Sequence, residues 1–184
     1  MELFDPDHLL VLRVARGNLQ AFQELVRRHL NRCVAVAERM VGNRQDAEEI
    51  VQEVFLKVWH EAARWQPRAK FSTWLYRVLV NACIDHVRKV VPLAAVELDG
   101  IPDGSPSADD RLISAQRSRW VQRALQRLPE RQRAAVVLSY YEELSNQEAA
   151  DALGLSLGAF QQLLFRAKQN LKNDLRAYQG DDHG

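Results

Sequence analysis

Several sets of side chains in this sequence have the types and spacing to do chemistry. In KFSTWLYRVLVNACIDHVRK, the aromatics Phe71, Trp74 and Tyr76 are interleaved with Lys70, Arg77, Arg88 and Lys89. Rings stack on unpaired bases while cations hold phosphates, so the mixture suits single-stranded nucleic acid. Taken one by one, the same aromatics read at least as well as core. Asn81 is harder to dismiss. A mid-helix asparagine forms helix poorly and is costly if buried unpaired, and its amide matches the edge of an unstacked base.

A second set is acidic. Asp46, Glu49 and Glu53 lie at i, i+3 and i+7 with Gln52 beside them, off the apolar stripe Ile50, Val51, Val54, Phe55, Val58 and Trp59. Like charges so close on a helix repel, a cost that a basic partner would offset. A solvated helix face explains the periodicity equally well. A metal or paired-carboxylate site is disfavoured because His60 lies beyond the cluster. His29 and Cys33 share a face at i, i+4, but two ligands do not complete a zinc site. No G-x-S-x-G, P-loop or C-x-x-C occurs. The residues indicate no enzyme, no metal and no cofactor.

The most specific local pattern is LSNQEAADALGLSLGAFQQLLFRAKQNLK. Ser145 and Glu148 make an S-x-x-E capping box, and Gly154 ends that helix where a left-handed backbone suits glycine. Ala150 is small enough for two helices to approach closely. Ser156 caps the second helix, which turns Phe160, Leu163, Leu164, Ala167 and Leu171 inward. Gln161, Gln162, Phe165, Arg166, Gln169 and Lys172 then face outward, where they suit base edges and phosphates of a major groove. This is a helix-turn-helix pattern, against which stands an ordinary helical hairpin. Upstream, Arg111, Arg117, Arg119, Arg123, Arg127, Arg131 and Arg133 add phosphate-binding capacity.

The elements that must position these sets are helical throughout. Helices are predicted near Asp7–Arg16, Leu19–Met40, Asp46–Trp65 and Ser72–Val90, then near Asp109–Arg127, Glu130–Tyr140, Asn146–Leu153 and Leu157–Tyr178. The formal charge of +1 over 184 residues is a cancellation. Residues 1–92 carry 14 basic and 11 acidic side chains, 93–110 carry five acids and no base, and 111–184 carry 11 basic and 8 acidic. The middle stretch, LAAVELDGIPDGSPSADD, also collects prolines and glycines and reads as a linker. The predicted fold is all-α: two small helical domains, 1–92 and 111–184, joined by the acidic flexible linker 93–110, with the helix-turn-helix in the second.

Composition excludes other classes. Apolar residues are 47% and charged residues 27% of the chain, a globular balance rather than a disordered one. Two cysteines are too few for a disulfide scaffold and fit a reducing compartment. No apolar run reaches the roughly 20 residues of a membrane span, and the acidic opening MELFDPDHLL does not match a signal peptide.

Together these motifs resemble the extracytoplasmic-function (ECF) sigma factors, small two-domain initiation factors of bacterial transcription. AFQELVRRH, DAEEIVQEVFLKVW and FSTWLYRVLVNACIDHVRK look like that family's N-terminal domain. LQRLPERQRAAVVLSYYEELSNQEAADALGLSLGAFQQLLFRA looks like its C-terminal domain. The resemblance implies that Asp46, Glu49, Gln52 and Glu53 dock on core RNA polymerase. It implies that Phe71, Trp74, Tyr76, Arg77, Asn81, Arg88 and Lys89 melt and read promoter-proximal DNA, with Asn81 at a flipped base. Ser156, Gln161, Gln162, Phe165, Arg166 and Gln169 would read the upstream promoter element. Many relatives have Lys and Arg where this chain has Gln161 and Leu163, which shifts weight to Gln162, Phe165 and Arg166. Family likeness further implies a cytoplasmic monomer without membrane insertion, held by an anti-sigma factor that can itself sit at the membrane. The rival reading is a stand-alone helix-turn-helix regulator, which needs its own dimer interface and leaves the acidic helix unexplained.

Overall fold

Three long helices and a short leading one form the first lobe: α1 (His8–Val14), α2 (Leu19–Val41), α3 (Arg44–Glu61) and α4 (Phe71–Ala94). A 3₁₀ turn, Ala62–Arg64, closes α3. The second lobe holds residues 120–127 (α5) and α6 (Glu130–Val136), which opens into a π-helical turn over Val137–Tyr141. α7 (Asn146–Leu153) and α8 (Leu157–Gly180) complete it. This computed structural model describes residues 5–66, 69–94 and 120–180, and no strand occurs among them.

Local chemistry sets most boundaries. The side chains of Asn18 and Asn43 accept from the backbone N–H groups of Ala21 and Asp46, so each caps the helix that follows. That cap starts α3 at Arg44, two residues before the expected Asp46. The capping box at Ser145 and Glu148 forms in both halves. α4 runs on to Ala94, past the predicted end at Val90, so the first residues of the supposed linker are helical. The rest of the linker, and the predicted helix from Asp109 up to residue 119, lie outside the described residues. The uninterrupted helix expected over Glu130–Tyr140 also needs correction. It widens into the π-helical turn, and Glu142 N–H bonds back to the Val137 carbonyl at 3.3 Å. Such widened turns are uncommon and concentrate at functional positions.

The two lobes pack on each other. Leu25, Val36, Met40, Phe71, Leu75 and Leu79 from the first share one continuous core with Leu125, Val137, Leu138 and Phe160 from the second. Each large side chain so buried contributes about 1.5–3 kcal/mol. Helix α4 lies against α7, and α2 against the π-helical turn.

The closing contacts include a shared helix cap. The Glu38 carbonyl accepts from Gly42 N–H at 2.8 Å, and the carbonyls after it lack i+4 partners. Gln122 Nε2 donates to the Glu38 carbonyl at 3.3 Å, Gln126 Nε2 to the Arg39 carbonyl at 2.8 Å, and Arg133 Nη1 to the Met40 carbonyl. Gly42 ends α2 at φ +91°, and a Cβ there would stand 3.1 Å from the Gln126 side chain. Glycine is needed on both counts, for its backbone and for the close approach.

Candidate nucleic-acid interface

Helix α4 presents Trp74, Arg77 and Asn81 at i, i+3 and i+7, one face of the helix. Asn81 and Arg77 are exposed and Trp74 is half-buried. They line a cleft of about 380 Å³ against α3, whose far wall carries Glu53, Lys57 and Glu61. Trp74 and Arg77 also line a second cleft of about 540 Å³ with Arg64, Trp65 and Gln66 of the connection before α4. The two clefts share Trp74 and Arg77 and together make the trough along α4, one end of which Asp151, Gly154 and Leu155 of the second lobe also line. Its charge is mixed, with Glu53, Glu61 and Asp85 beside Lys57 and Arg77. Such a lining suits ring stacking and recognition of base edges more than bulk attraction of phosphate.

Other members of the predicted reading set are placed differently. Phe71 is 0% exposed, and its ring packs near His29, Trp65 and Trp74. As the first residue of α4 it points into the core, so it does not line the trough. Tyr76 is 4% exposed because α4 turns that side toward the second lobe. Its hydroxyl donates to Glu142 Oε2 at 2.5 Å, and Arg32 Nε donates to the same oxygen at 3.0 Å. Burial, and then this bond, push the Tyr76 hydroxyl well above its ordinary pKa. Arg88 and Lys89 are exposed, and Arg88 pairs with Glu130 at 2.6 Å.

On α3, Glu49, Gln52 and Glu53 are exposed along one face. Leu56 continues that face, off the apolar stripe, and is 60% exposed. Asp46 is committed elsewhere. It bonds the Asn43 side chain at 2.7 Å and His86 Nε2 at 2.9 Å. The Asn43 amide first, and His86 after it, hold its carboxyl below the ordinary range. Asp46 ties α3 to α4 and belongs to the fold rather than to the free acidic face.

The helix-turn-helix forms as α7 and α8. Gly154 takes φ +64° between them, and Ala150 is fully buried where the helices meet. Ser156 Oγ accepts from Ala159 N–H at 3.2 Å, a cap on α8. Gln161, Gln162, Phe165, Arg166 and Gln169 are all exposed, while Leu163 is half-buried, as its apolar neighbours require. Gln161, Gln162, Phe165 and Arg166 border one open concavity with Gly158. Phe165 stands 62% exposed there.

The upstream arginines divide. Arg123 is exposed. Arg133 is buried, donating to Met40, to Gln126 Oε1 at 2.5 Å and to the Gln126 and Leu128 carbonyls. Arg133 therefore belongs to the lobe contact and is no phosphate ligand. Arg111, Arg117 and Arg119 lie outside the described residues. His29 Nε2 is taken by Asp7 at 2.6 Å. Burial pushes the thiols of Cys33 and Cys83 up to about 12, which removes them as nucleophiles. The residues that sequence reasoning missed are Glu142 and Arg32, because a glutamate in YYEE and an arginine on a mixed helix face carry no periodic signal.

Among the described residues both lobes are all-helical, one with an acidic helix beside the clefts along α4 and the other with an outward-facing helix-turn-helix. The model of Sigma-70 region 2 matches residues 25–91, and that of Sigma-70 region 4 matches residues 118–171. The chain is 30% identical over 178 residues to the ECF RNA polymerase sigma factor SigW of Bacillus subtilis, covering 90% of this chain and 95% of that one. CnrH, solved in complex with the cytosolic domain of CnrY, superimposes with a TM-score of 0.70 at 30% identity, over 94% of this chain and 99% of that one. The fold is also that of the sigma factor RpoE, solved with the anti-sigma factor NepR from Bartonella quintana. There the TM-score is 0.65 at 23% identity, over 84% of this chain and 96% of that one. The chain belongs to the ECF RNA polymerase sigma factors. It is an alternative sigma factor, and the stand-alone regulator reading is not favoured, since both lobes match sigma regions.

Proposed function

We propose that this sigma factor divides its work among three surfaces. Glu49, Gln52 and Glu53 on α3 dock on a basic element of core RNA polymerase. Trp74, Arg77 and Asn81 on α4 hold unpaired promoter-proximal DNA, with Arg88 and Lys89 on neighbouring phosphates. Gln161, Gln162, Phe165, Arg166 and Gln169 on α8 read the upstream element as duplex, at the helix that Ser156 caps.

The observation that carries this reading is the trough along α4. An exposed amide, a guanidinium and an indole share one face and line connected clefts. Trp74 offers a surface for a base to stack on, Arg77 a cation, and Asn81 both a donor and an acceptor for a base edge. The work is done in the cytoplasm, where core polymerase and promoter DNA are. An anti-sigma factor is the protein regulator that family membership supplies, and CnrH, solved with the cytosolic domain of CnrY, is a parallel for such a complex.

The test is reconstitution with core polymerase on a selected promoter, followed by permanganate footprinting of unpaired thymines. The reading requires thymine reactivity that falls when Asn81 or Trp74 is replaced by alanine. Undiminished melting by both variants would remove α4 from the reading set.

A further inference from the structure

The side chain just ahead of helix α4 cannot cap it. That residue is Lys70, whose carbonyl accepts from the N–H groups of Thr73 and Trp74 at 3.1 and 3.3 Å. Its ammonium has three donors and no acceptor, so it cannot serve the first N–H groups of the helix. The acceptor comes from 66 positions upstream: Asp5 Oδ2 accepts from Phe71 N–H at 2.7 Å. A carboxylate there also meets the positive end of the helix dipole.

The segment that carries Asp5 is itself pinned. Asp5 Oδ1 accepts from Asp7 N–H at 3.0 Å. Asp7 is 5% exposed, with His29 Nε2 at 2.6 Å and Arg28 Nη1 at 2.9 Å, both from α2. From this anchor a run of rings leads to the trough. The His29 ring stands edge-on to Phe71 at 5.5 Å, and Phe71 lies 5.8 Å from Trp74 and 6.3 Å from Trp65. His8 lies 5.5 Å from Trp65 on its other flank. Both indoles that line the trough therefore rest on rings held by Asp5–His8, a segment that precedes the region 2 match at residues 25–91. We propose that Asp5 is a positioning residue for promoter reading: it caps α4 from outside region 2 and, with Asp7 and His8, fixes the aromatic cluster that holds Trp74 ready for an unpaired base.

Pre-ordering of this kind strengthens binding by lowering the entropy lost when the contact forms. The effect of a cap falls off within the first turn. Trp74 lies in that turn, whereas Asn81 is nearly three turns into α4. Asp5 should therefore act through Trp74 and be independent of Asn81.

This inference rests on the proposed role of α4, and the experiment separates the two. Holoenzymes made with the full-length chain bind a fluorescent fork template of the selected promoter, with affinity read by anisotropy and folding of each free variant by circular dichroism. Asp5→Ala is expected to bind about fivefold more weakly, the equivalent of a lost cap. Asp5→Asn keeps an oxygen for Phe71 N–H and should restore most of that loss. Adding Asp5→Ala to Trp74→Ala should cost nothing further, while adding it to Asn81→Ala should cost the same factor again. Parent-like binding by Asp5→Ala, with Trp74→Ala still impaired, overturns the positioning role and leaves the α4 surface in place. So does a full additional loss on top of Trp74→Ala, or an Asp5→Ala protein that fails to fold, since Asp5 would then serve stability alone. Parent-like binding by both Trp74→Ala and Asn81→Ala overturns the α4 reading itself, and this inference with it.

Discussion

The Tyr76 hydroxyl and the Glu142 carboxylate meet at 2.5 Å across the two lobes, joining α4 to the residue that follows the π-helical turn. Arg32 is the second donor on that oxygen. Tyr76→Phe keeps the ring's packing and removes one donor from a buried charge. Hydrogen bonds to charged groups contribute about 1.5–3 kcal/mol, so Tyr76→Phe is expected to lower unfolding free energy by that amount in urea titration. Combining it with Glu142→Gln should be less damaging than the sum of the two single changes, because both act on one contact. Strict additivity would show that the bond contributes nothing.

The lobe contacts also set a pH dependence. Lys70, ahead of the Ser145 cap, holds the Glu148 carboxyl below its ordinary value of 4.5. The helix-start N–H, ahead of Arg88, does the same for Glu130. A carboxyl whose folded pKa lies below its unfolded one stabilises the fold fully above the unfolded value and loses that contribution as pH falls through the folded one. Stability should therefore be level near neutrality and decline below about pH 4.5. Glu148→Gln removes its share, so its unfolding curve should differ from the parent at pH 7 and converge with it in acid. A gap that widens in acid would mean the sign is wrong.

Much of this was legible in the sequence, for definite reasons. The helix-turn-helix was readable because its signals are local: a capping box, a left-handed glycine and a small residue at fixed offsets. The exposed faces of α3 and α8 follow from helical periodicity. Tyr76 and Phe71 were not separable from Trp74, because an aromatic ring suits a core and a base stack equally well. Only the direction in which α4 meets the second lobe decides between them. Asp46 shows the same limit, since its partner His86 lies 40 positions away. Arg133 reads as one more arginine in a basic run until the Met40 carbonyl at the end of α2 arrives beside it.

The acidic face of α3 can now be tested without Asp46. Glu49→Lys/Glu53→Lys reverses two exposed charges, and surface changes of this kind usually alter stability by less than about 0.5 kcal/mol. If a basic element of polymerase faces them, two charge-assisted contacts of about 1.5 kcal/mol each are lost, which is roughly a hundredfold in affinity. Pull-down of core polymerase should fall accordingly while circular dichroism stays unchanged. Asp46→Asn should instead reduce stability through its contact with His86. Equal polymerase recovery by the charge-reversed protein would take α3 out of the interface.

The recognition helix gives the last test, because its outer face separates two kinds of contact. Arg166 is an exposed cation at the concavity that Gln162 and Phe165 also border. A phosphate contact carries no sequence information but releases counterions. Arg166→Ala should therefore weaken binding of the polymerase complex to every upstream sequence and reduce the log–log salt slope by about 1. Gln162 presents an amide suited to bidentate pairing with an adenine edge, and Phe165 an apolar surface suited to a thymine methyl. Replacing either with alanine should leave the salt slope intact and change which upstream sequences are selected, at about 1–3 kcal/mol per base contact. Selection from a randomised upstream element, repeated at two salt concentrations, distinguishes these outcomes. If Arg166→Ala alters sequence preference and Gln162→Ala alters only the slope, the two roles are reversed. If neither quantity moves in any of the three variants, α8 is not the reader and the upstream contacts lie elsewhere on the second lobe.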